Sequence, residues 1–320
     1  MTPSGRVGPP ESAELAISSE VVGHDAWRPG HGAPHPPGRY GFFTDTTVCI
    51  GCKACEVACK QWNRLPDDGF ASSGASYDNT GDLGATTWRH VAFIEVAPGT
   101  SVDGFADLGF FGADAEADGA HGGLGSEQLR WLMMSDVCKH CVSAACLEVC
   151  PTGSLVRTEF DTVVVQDDVC NGCGMCVPAC PFGVIDRNPH TGGAAKCTLC
   201  YDRLQDGLEP ACAKACPTDS IVFGEHDDLV RIAEQRVAHL HARGVDGAYL
   251  YGHDAEAQPG TAGLNAFFLL TDAPEVYNLP PDPVSPTRRI GGSWLSALAS
   301  GLAMVAAVAV AVAGASGRDT

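Results

Sequence analysis

Apolar residues in this chain come mostly in short runs bounded by Gly, Asp and Pro, which predicts many short elements rather than long helices. Gly41-Phe42-Phe43-Thr44-Asp45 reads as a strand. Val91–Val96 and Leu129–Met134 read as two more, paired as a hairpin with a long tip. Residues 97–127, rich in Gly, Asp and Ala and without a period, read as an inserted surface loop between them. Leu155–Arg157 and Val163–Val165 flank the turn Glu159-Phe160-Asp161 and predict a tight hairpin, and Asn265–Leu270 is an apolar strand. Lys53, Glu56, Val57 and Lys60 predict one or two helical turns, closed by Trp62 and Asn63. One longer amphipathic helix is predicted. Leu229, Ile232, Ala233, Val237 and Leu240 share a face, Asp227 or Asp228 caps the start, Arg243 ends it and Gly244 closes it. His239 and His241 fall on its outer side.

The last segment changes character. No charged residue occurs from Ile290 to Gly317, and Trp294–Ala315 is predominantly apolar. At ~1.5 Å per residue such a helix crosses a ~30 Å hydrocarbon core, so a single transmembrane helix is expected over 290–315. Ala299, Ala303, Ala307, Ala311 and Ala315 recur beside Ser296 and Ser300, a small-residue ridge suited to packing on another membrane helix. Arg288 and Arg289 precede the span and Arg318 with Asp319 follows it, which leaves the cytoplasmic and extracytoplasmic faces of the cell membrane both open to the cluster domain, with a weak lean to the cytoplasmic one.

The chemistry lies in 16 cysteines, all of which fall into four groups of four. Cys170-Asn-Gly-Cys173-Gly-Met-Cys176-Val-Pro-Ala-Cys180-Pro181 has the spacing of the bacterial ferredoxin run. In that run three cysteines hold one [4Fe–4S] cluster and the fourth, followed by Pro, ligates the other cluster of a pair. Cys49, Cys52, Cys55 and Cys59 repeat the spacing. Cys138, Cys141, Cys146 and Cys150, and then Cys197, Cys200, Cys212 and Cys216, are looser versions. Pro151, Pro181 and Pro217 follow three of the fourth cysteines, and Lys60 follows the first group's. The phrases Pro151-Thr-Gly-Ser-Leu155, Pro181-Phe-Gly-Val-Ile185 and Pro217-Thr-Asp-Ser-Ile221 are self-similar. They predict an α+β fold of duplicated bacterial-ferredoxin-like modules, each with two [4Fe–4S] clusters. A disulfide framework does not suit cysteines this cramped in a chain with so small a share of them. Structural zinc does not use a third cysteine two residues on, followed by Cys-Pro.

Composition narrows the picture further. The net charge of −19 opposes a nucleic-acid partner. Glu11, Glu14 and Glu20 interrupt the N-terminal region, so no secretory signal is expected in it. Residues 1–39 read as a flexible extension, with His31 and His35 solvated. A four-cluster domain over 40–271 follows, then a stiff Pro-rich linker over 272–289. The chain carries no pterin cradle and no nucleophile constellation, so catalysis by it alone is not expected.

Taken together these features resemble the iron–sulfur (beta) subunits of membrane-bound molybdopterin oxidoreductases, formate dehydrogenases above all. The resemblance rests on Cys49-Ile-Gly-Cys52-Lys-Ala-Cys55-Glu-Val-Ala-Cys59 with Trp62-Asn63, on Tyr77-Asp78-Asn79, on Lys196-Cys197-Thr198-Leu199-Cys200 and on Glu209-Pro210-Ala211-Cys212. It covers about residues 40–315. It implies four clusters and their ligand sets. Cys49, Cys52, Cys55 and Cys216 would hold the first, and Cys59, Cys197, Cys200 and Cys212 the second. Cys138, Cys141, Cys146 and Cys180 would hold the third, and Cys150, Cys170, Cys173 and Cys176 the fourth. Some nitrate reductases of this superfamily replace one cysteine of the third group and carry a [3Fe–4S] centre. Cys173 is present here, so four cubanes are expected. The implied partners are a molybdenum or tungsten pterin subunit that oxidises formate and a membrane subunit, cytochrome b or haem-free, that reduces quinone. Electrons would enter at the group-one cluster and leave from the group-three cluster. Lys53, Lys139, Lys196 and Lys214 lie beside ligands, either raising potentials, docking partners or simply facing solvent. Competing readings are an iron–sulfur subunit of a hydrogenase or sulfur-compound reductase, a membrane-tethered polyferredoxin, and a zinc scaffold.

Overall fold

A computed structural model describes residues 35–67, 69, 80–96 and 130–316. His31, the 97–127 insertion and Tyr77-Asp78-Asn79 lie outside the described residues. In chain order the elements are β1 (Tyr40–Asp45), α1 (Ala54–Asn63), β2 (Arg89–Val96), β3 (Arg130–Val137), α2 (Ala145–Glu148), β4 (Leu155–Arg157), β5 (Val163–Val165), α3 (Cys176–Ala179), β6 (Asp186–Arg187), β7 (Ala194–Ala195), α4 (Tyr201–Gln205), α5 (Ala211–Lys214), β8 (Ile221–Glu225), α6 (His226–Ala242), β9 (Tyr249–Tyr251), β10 (Ala266–Leu270) and α7 (Ile290–Ser316).

A four-stranded sheet of order β8-β1-β10-β9 forms the spine. β1 pairs antiparallel with β8 and parallel with β10, and β10 pairs antiparallel with β9. Every residue of β1 and of β10 is buried, because both faces of the sheet are covered. Side chains alternate between those faces. Phe43, Phe267 and Leu269 pack on Leu229, Ile232, Ala233 and Leu240 of α6. Tyr40, Phe42, Phe223 and Ala266 turn the other way, onto Phe160 and the sulfur-bearing loops of Cys55, Cys138, Cys197 and Cys212. The sheet therefore stands between a docking helix and the cysteine region.

The hairpin expected from 91–96 and 129–134 is present as β2–β3, in register from Arg89↔Val137 to Val96↔Arg130. The tight hairpin is β4–β5. α6 begins at His226 with no side-chain cap; Asp227 and Asp228 occupy its first turn instead, where they favour the helix dipole. Gly244 lies just past its end with φ +84°, a left-handed closure that glycine adopts without strain.

Two expectations are corrected. Folded structure begins at least at His35, not at Tyr40. His35 is buried against Tyr40, Phe160 and Phe223, and its backbone N–H donates to Leu204 O at 3.3 Å. The Pro-rich stretch is not an extended linker, since it forms short 3-10 turns at Pro274–Tyr277 and Pro286–Arg289 and buries Tyr277, Leu279 and Ser285. Apolar residues spaced between prolines let it lie against β9 and β10 as a strap. β8 and β9, both too short and mixed to announce themselves, complete the sheet. α7 spans Ile290–Ser316, and its described side chains from Trp294 to Ala309 are exposed. Among the described residues no helix is long and apolar enough to cross a membrane.

Candidate iron–sulfur sites

Strand pairing explains which cysteines meet. β1 leads into Cys49, and β8 follows Cys216. Their antiparallel pairing, extended by the Asp45 N–H to Ser220 O bond of 2.8 Å, sets Cys216 beside the first group. β4 follows Cys150 and β5 leads into Cys170, and the pairing Leu155↔Val165 sets Cys150 beside the third group. In these two cases the fourth cysteine crosses to a neighbouring group because the strand behind it pairs with the strand ahead of that group.

Three cavities result, each lined by four cysteines. One is lined by Cys49, Cys52, Cys55 and Cys216. Another is lined by Cys138, Cys141, Cys146 and Cys180, together with Lys139, His140 and Lys196. A third is lined by Cys150, Cys170, Cys173 and Cys176. Cys59, Cys197, Cys200 and Cys212 form the remaining quartet. Burial first, and then the charges of the other three, push the Cys59 thiol far up. The cysteines are thus brought together in fours.

One backbone turn recurs in all four groups. The residue before the second cysteine is left-handed each time: Gly51 at φ 65°, His140 at 44°, Gly172 at 70° and Leu199 at 59°. Such turns aim successive N–H groups into a concavity that suits an anion. At two of the positions only glycine fits, since a Cβ on Gly51 would meet Met133 Sδ at 2.7 Å and one on Gly172 would meet Gly192 O at 2.5 Å. His140 and Leu199 hold the same conformation at a cost of ~1–2 kcal/mol each, sustained by complete burial.

The sulfurs are served by donors. The Leu199 N–H lies 3.3 Å from Cys197 Sγ, the Ala194 N–H 3.3 Å from Cys170 Sγ and Asn63 Nδ2 3.6 Å from Cys59 Sγ. Ser135 Oγ is 3.3 Å from Cys55 Sγ, and Ser154 Oγ is 3.3 Å from Cys150 Sγ. Burial raises the thiol of Cys55 to about 11 and those of Cys146 and Cys200 to about 12. Cys150 goes the other way. Its burial is outweighed by hydrogen bonds from Ser154, the Leu155 amide and Thr152, which bring it to about 6. Sulfurs so placed become thiolates when iron displaces their protons.

The quartets fit a cluster better than a single ion. Tetrahedral zinc draws its sulfurs to about 3.8 Å of one another, from Zn–S bonds of ~2.3 Å. Among the described residues no three Cys, His, Asp or Glu are grouped so as to hold one metal ion. Two buried donors point the same way. His140 accepts the Val163 N–H on Nδ1 at 3.1 Å, which leaves its proton on Nε2. That Nε2 is buried without a partner on a cavity wall lined by cysteines. Arg89 Nε is likewise buried and unpaired. A sulfur-rich anion would satisfy both.

The flanking lysines divide into two pairs. Lys139 and Lys196 are buried rather than solvated. Lys139 Nζ bonds Asp136 and the Val137 carbonyl and lies 5.2 Å from the Phe182 and Phe268 ring centroids. Lys196 Nζ bonds the carbonyls of Val163 and Cys197. Lys53 and Lys214 reach solvent and pair with Glu56 and Glu209. Sequence reasoning passed over Arg89, Ser135, Ser154 and Ser220. Ser154 and Ser220 were signalled by the repeated Pro-Thr-x-Ser phrases. Arg89 and Ser135 lie within plain strands and carry no sequence mark.

The quartets also form a series. Burial is the main reason their thiols resist ionisation, and an adjoining quartet adds to it at three seams: Cys212 acts on Cys55, Cys138 on Cys197 and Cys176 on Cys146. Two cysteines are exposed, Cys52 in the first quartet and Cys173 in the last.

Repeated anion-cradling turns and sulfur quartets in series define an iron–sulfur protein built of ferredoxin-like domains. A 4Fe-4S dicluster domain family model matches residues 129–226, and a 4Fe-4S binding domain model matches residues 46–62. The chain is 38% identical over 243 residues to the formate dehydrogenase iron-sulfur subunit of Haemophilus influenzae, covering 75% of this chain and 68% of that protein. It is 36% identical over 272 residues to the formate dehydrogenase-O iron-sulfur subunit of Escherichia coli, covering 83% and 80%. It is 32% identical over 209 residues to the B component of the anaerobic dimethyl sulfoxide reductase of Escherichia coli, covering 63% and 84%. This protein belongs to the family of formate dehydrogenase iron–sulfur subunits.

Proposed function

We propose that this chain is the non-catalytic electron-transfer subunit of a formate dehydrogenase complex, and that it holds four [4Fe–4S] clusters. Cys49, Cys52, Cys55 and Cys216 hold the first; Cys59, Cys197, Cys200 and Cys212 the second; Cys138, Cys141, Cys146 and Cys180 the third; and Cys150, Cys170, Cys173 and Cys176 the fourth. Each cluster supplies a one-electron carrier. The observation that carries this reading is the series itself. Adjoining quartets influence one another at Cys55 and Cys212, at Cys197 and Cys138, and at Cys146 and Cys176, and the series is exposed at Cys52 and Cys173. A molybdenum or tungsten pterin subunit docks at the Cys52 end, and electrons leave at the Cys173 end.

In this reading α7 is the point of membrane attachment, and its foot is rooted near the exit. Ser285 Oγ donates to Glu148 Oε2 at 2.9 Å, Thr287 bonds the same carboxylate, and Arg288 reaches Ser143 Oγ at 3.1 Å. Glu148 stands between Cys146 and Cys150, ligands of the third and fourth sites. A membrane subunit that reduces quinone receives the electrons there and packs on the alanine ridge. Arg288 and Arg289 favour the cytoplasmic face of the cell membrane for the cluster domain.

Purification of the intact complex tests the reading. Formate-dependent dye reduction, a copurifying pterin subunit and EPR signals of four interacting reduced [4Fe–4S] clusters are expected. A complex without a pterin subunit, or one that does not respond to formate, refutes the assignment. Copurification with a subunit that instead reduces a sulfoxide moves the chain to the side of its dimethyl sulfoxide reductase relatives.

A further inference from the structure

Arg89, the first residue of β2, is 1% exposed and sits where the first and second cysteine quartets adjoin. One terminal nitrogen donates to Cys212 Sγ at 3.2 Å. The other donates to Ser135 O at 3.2 Å and to Ser135 Oγ at 3.4 Å, and that hydroxyl lies 3.3 Å from Cys55 Sγ. The guanidinium therefore touches a second-quartet sulfur directly and a first-quartet sulfur through one hydroxyl. The Phe42 ring covers it, 4.7 Å from ring centroid to Cζ, and keeps water away. Among the described residues no carboxylate forms an ion pair with it. A guanidinium cannot shed its proton to escape burial, and an unpaired buried charge costs several kcal/mol. The groups that adjoin it are the sulfurs of Cys212 and, through Ser135, of Cys55, which become anions when they ligate iron.

We propose that Arg89 is a positioning residue of the relay, the shared counterion of the first and second clusters, and that its fixed charge raises the potential of the second cluster more than that of the first. Adding an electron makes a cluster more negative, so a cation that touches one of its ligands favours the reduced state. The direct contact is with Cys212, and contact with Cys55 is relayed through Ser135. The difference draws electrons from the exposed first site toward the interior, the direction the relay requires. The inference rests on the four-cluster reading, and its test separates the two.

The test is an EPR-monitored redox titration of the intact complex carrying Arg89→Gln or Arg89→Lys, with iron counted per chain. In Arg89→Gln the reduction equilibrium of the second cluster falls at least tenfold, ~59 mV for a one-electron couple. The first cluster shifts less, and the third and fourth keep their wild-type potentials. Arg89→Lys, which keeps the charge, restores most of the shift. Full iron with all four potentials unchanged in Arg89→Gln overturns the proposal. Where Arg89→Gln fails to load the first two clusters, loading rescued by Arg89→Lys supports the counterion role. Equal loss in both variants overturns it and leaves Arg89 as a packing residue. A wild-type complex that lacks four cubanes is a different failure, and it defeats the relay assignment itself.

Discussion

Gly41 is where the spine of this protein is least able to accept a side chain, and Gly41→Ala tests how the sheet controls the sites. A Cβ there would lie 1.8 Å from Asn265 O and 2.8 Å from Asn265 C, both backbone atoms. Ordinary C···O spacing of ~3.3 Å requires the two segments to part by about 1.5 Å. Asn265 is badly placed to yield. Its carbonyl accepts the Phe42 N–H at 2.8 Å, and its own N–H donates to Lys139 O at 3.0 Å. Its side chain holds Asp161 O at 2.7 Å and Arg39 Nε at 2.7 Å. Moving it disturbs the parallel β1–β10 pairing and the loop that carries Lys139 and His140 into the third site. Overpacking at ~1–3 kcal/mol and one strained or lost hydrogen bond at ~1 kcal/mol give a destabilisation of ~2–4 kcal/mol. For a domain of this size that lowers the unfolding midpoint by roughly 4–16 °C. Scanning calorimetry at one fixed scan rate, with iron counted per chain, reads both effects. A variant with an unchanged midpoint and a full iron complement would show that the β1–β10 contact does not position the sites.

The other predictions concern charge, hydrogen bonding and the terminal helix. His226 is buried against Phe267, and burial lowers its pKa from 6.5 to about 4. Between those values the unfolded state binds a proton that the folded state refuses, so stability falls as pH drops through the window, by up to ~1.4 kcal/mol per pH unit. His226→Gln should flatten the slope of midpoint against pH between 6.5 and 4, and an unaltered slope would refute the linkage. His140→Phe removes the donor on the third cavity's wall and should lower the potential of that site alone, by about 1.5 kcal/mol per electron; equal potentials in redox titration would show that Nε2 serves no sulfur. A chain ending at residue 289, expressed without other subunits, should leave the membrane fraction, and its persistence there after salt washing would exclude α7 as the anchor.

The cysteine spacing, by itself, determined the chemistry. Ligand spacing is local in three of the quartets, where three of four sulfurs lie on one short segment, and a turn of two residues can be written in sequence. The same holds for the hairpins β2–β3 and β4–β5 and for the amphipathic face of α6, whose periods are local. The pairing of quartets needed either family resemblance or the tertiary structure. Cys216 reaches the first site because β8 lies beside β1, and no local signal announces a sheet whose strands are separated by most of the chain. Arg89, Ser135 and the burial of Lys139 and Lys196 were hidden for the same reason: a charge on a short strand looks solvated until the fold encloses it. The Pro-rich strap looked like a stiff spacer and His35 like part of a mobile tail because their few apolar or aromatic groups gain a partner only after Tyr40, Phe160 and the edge of the sheet have assembled. The sequence wrote the ligands, and the sheet decided which of them face one another and which charges stand between.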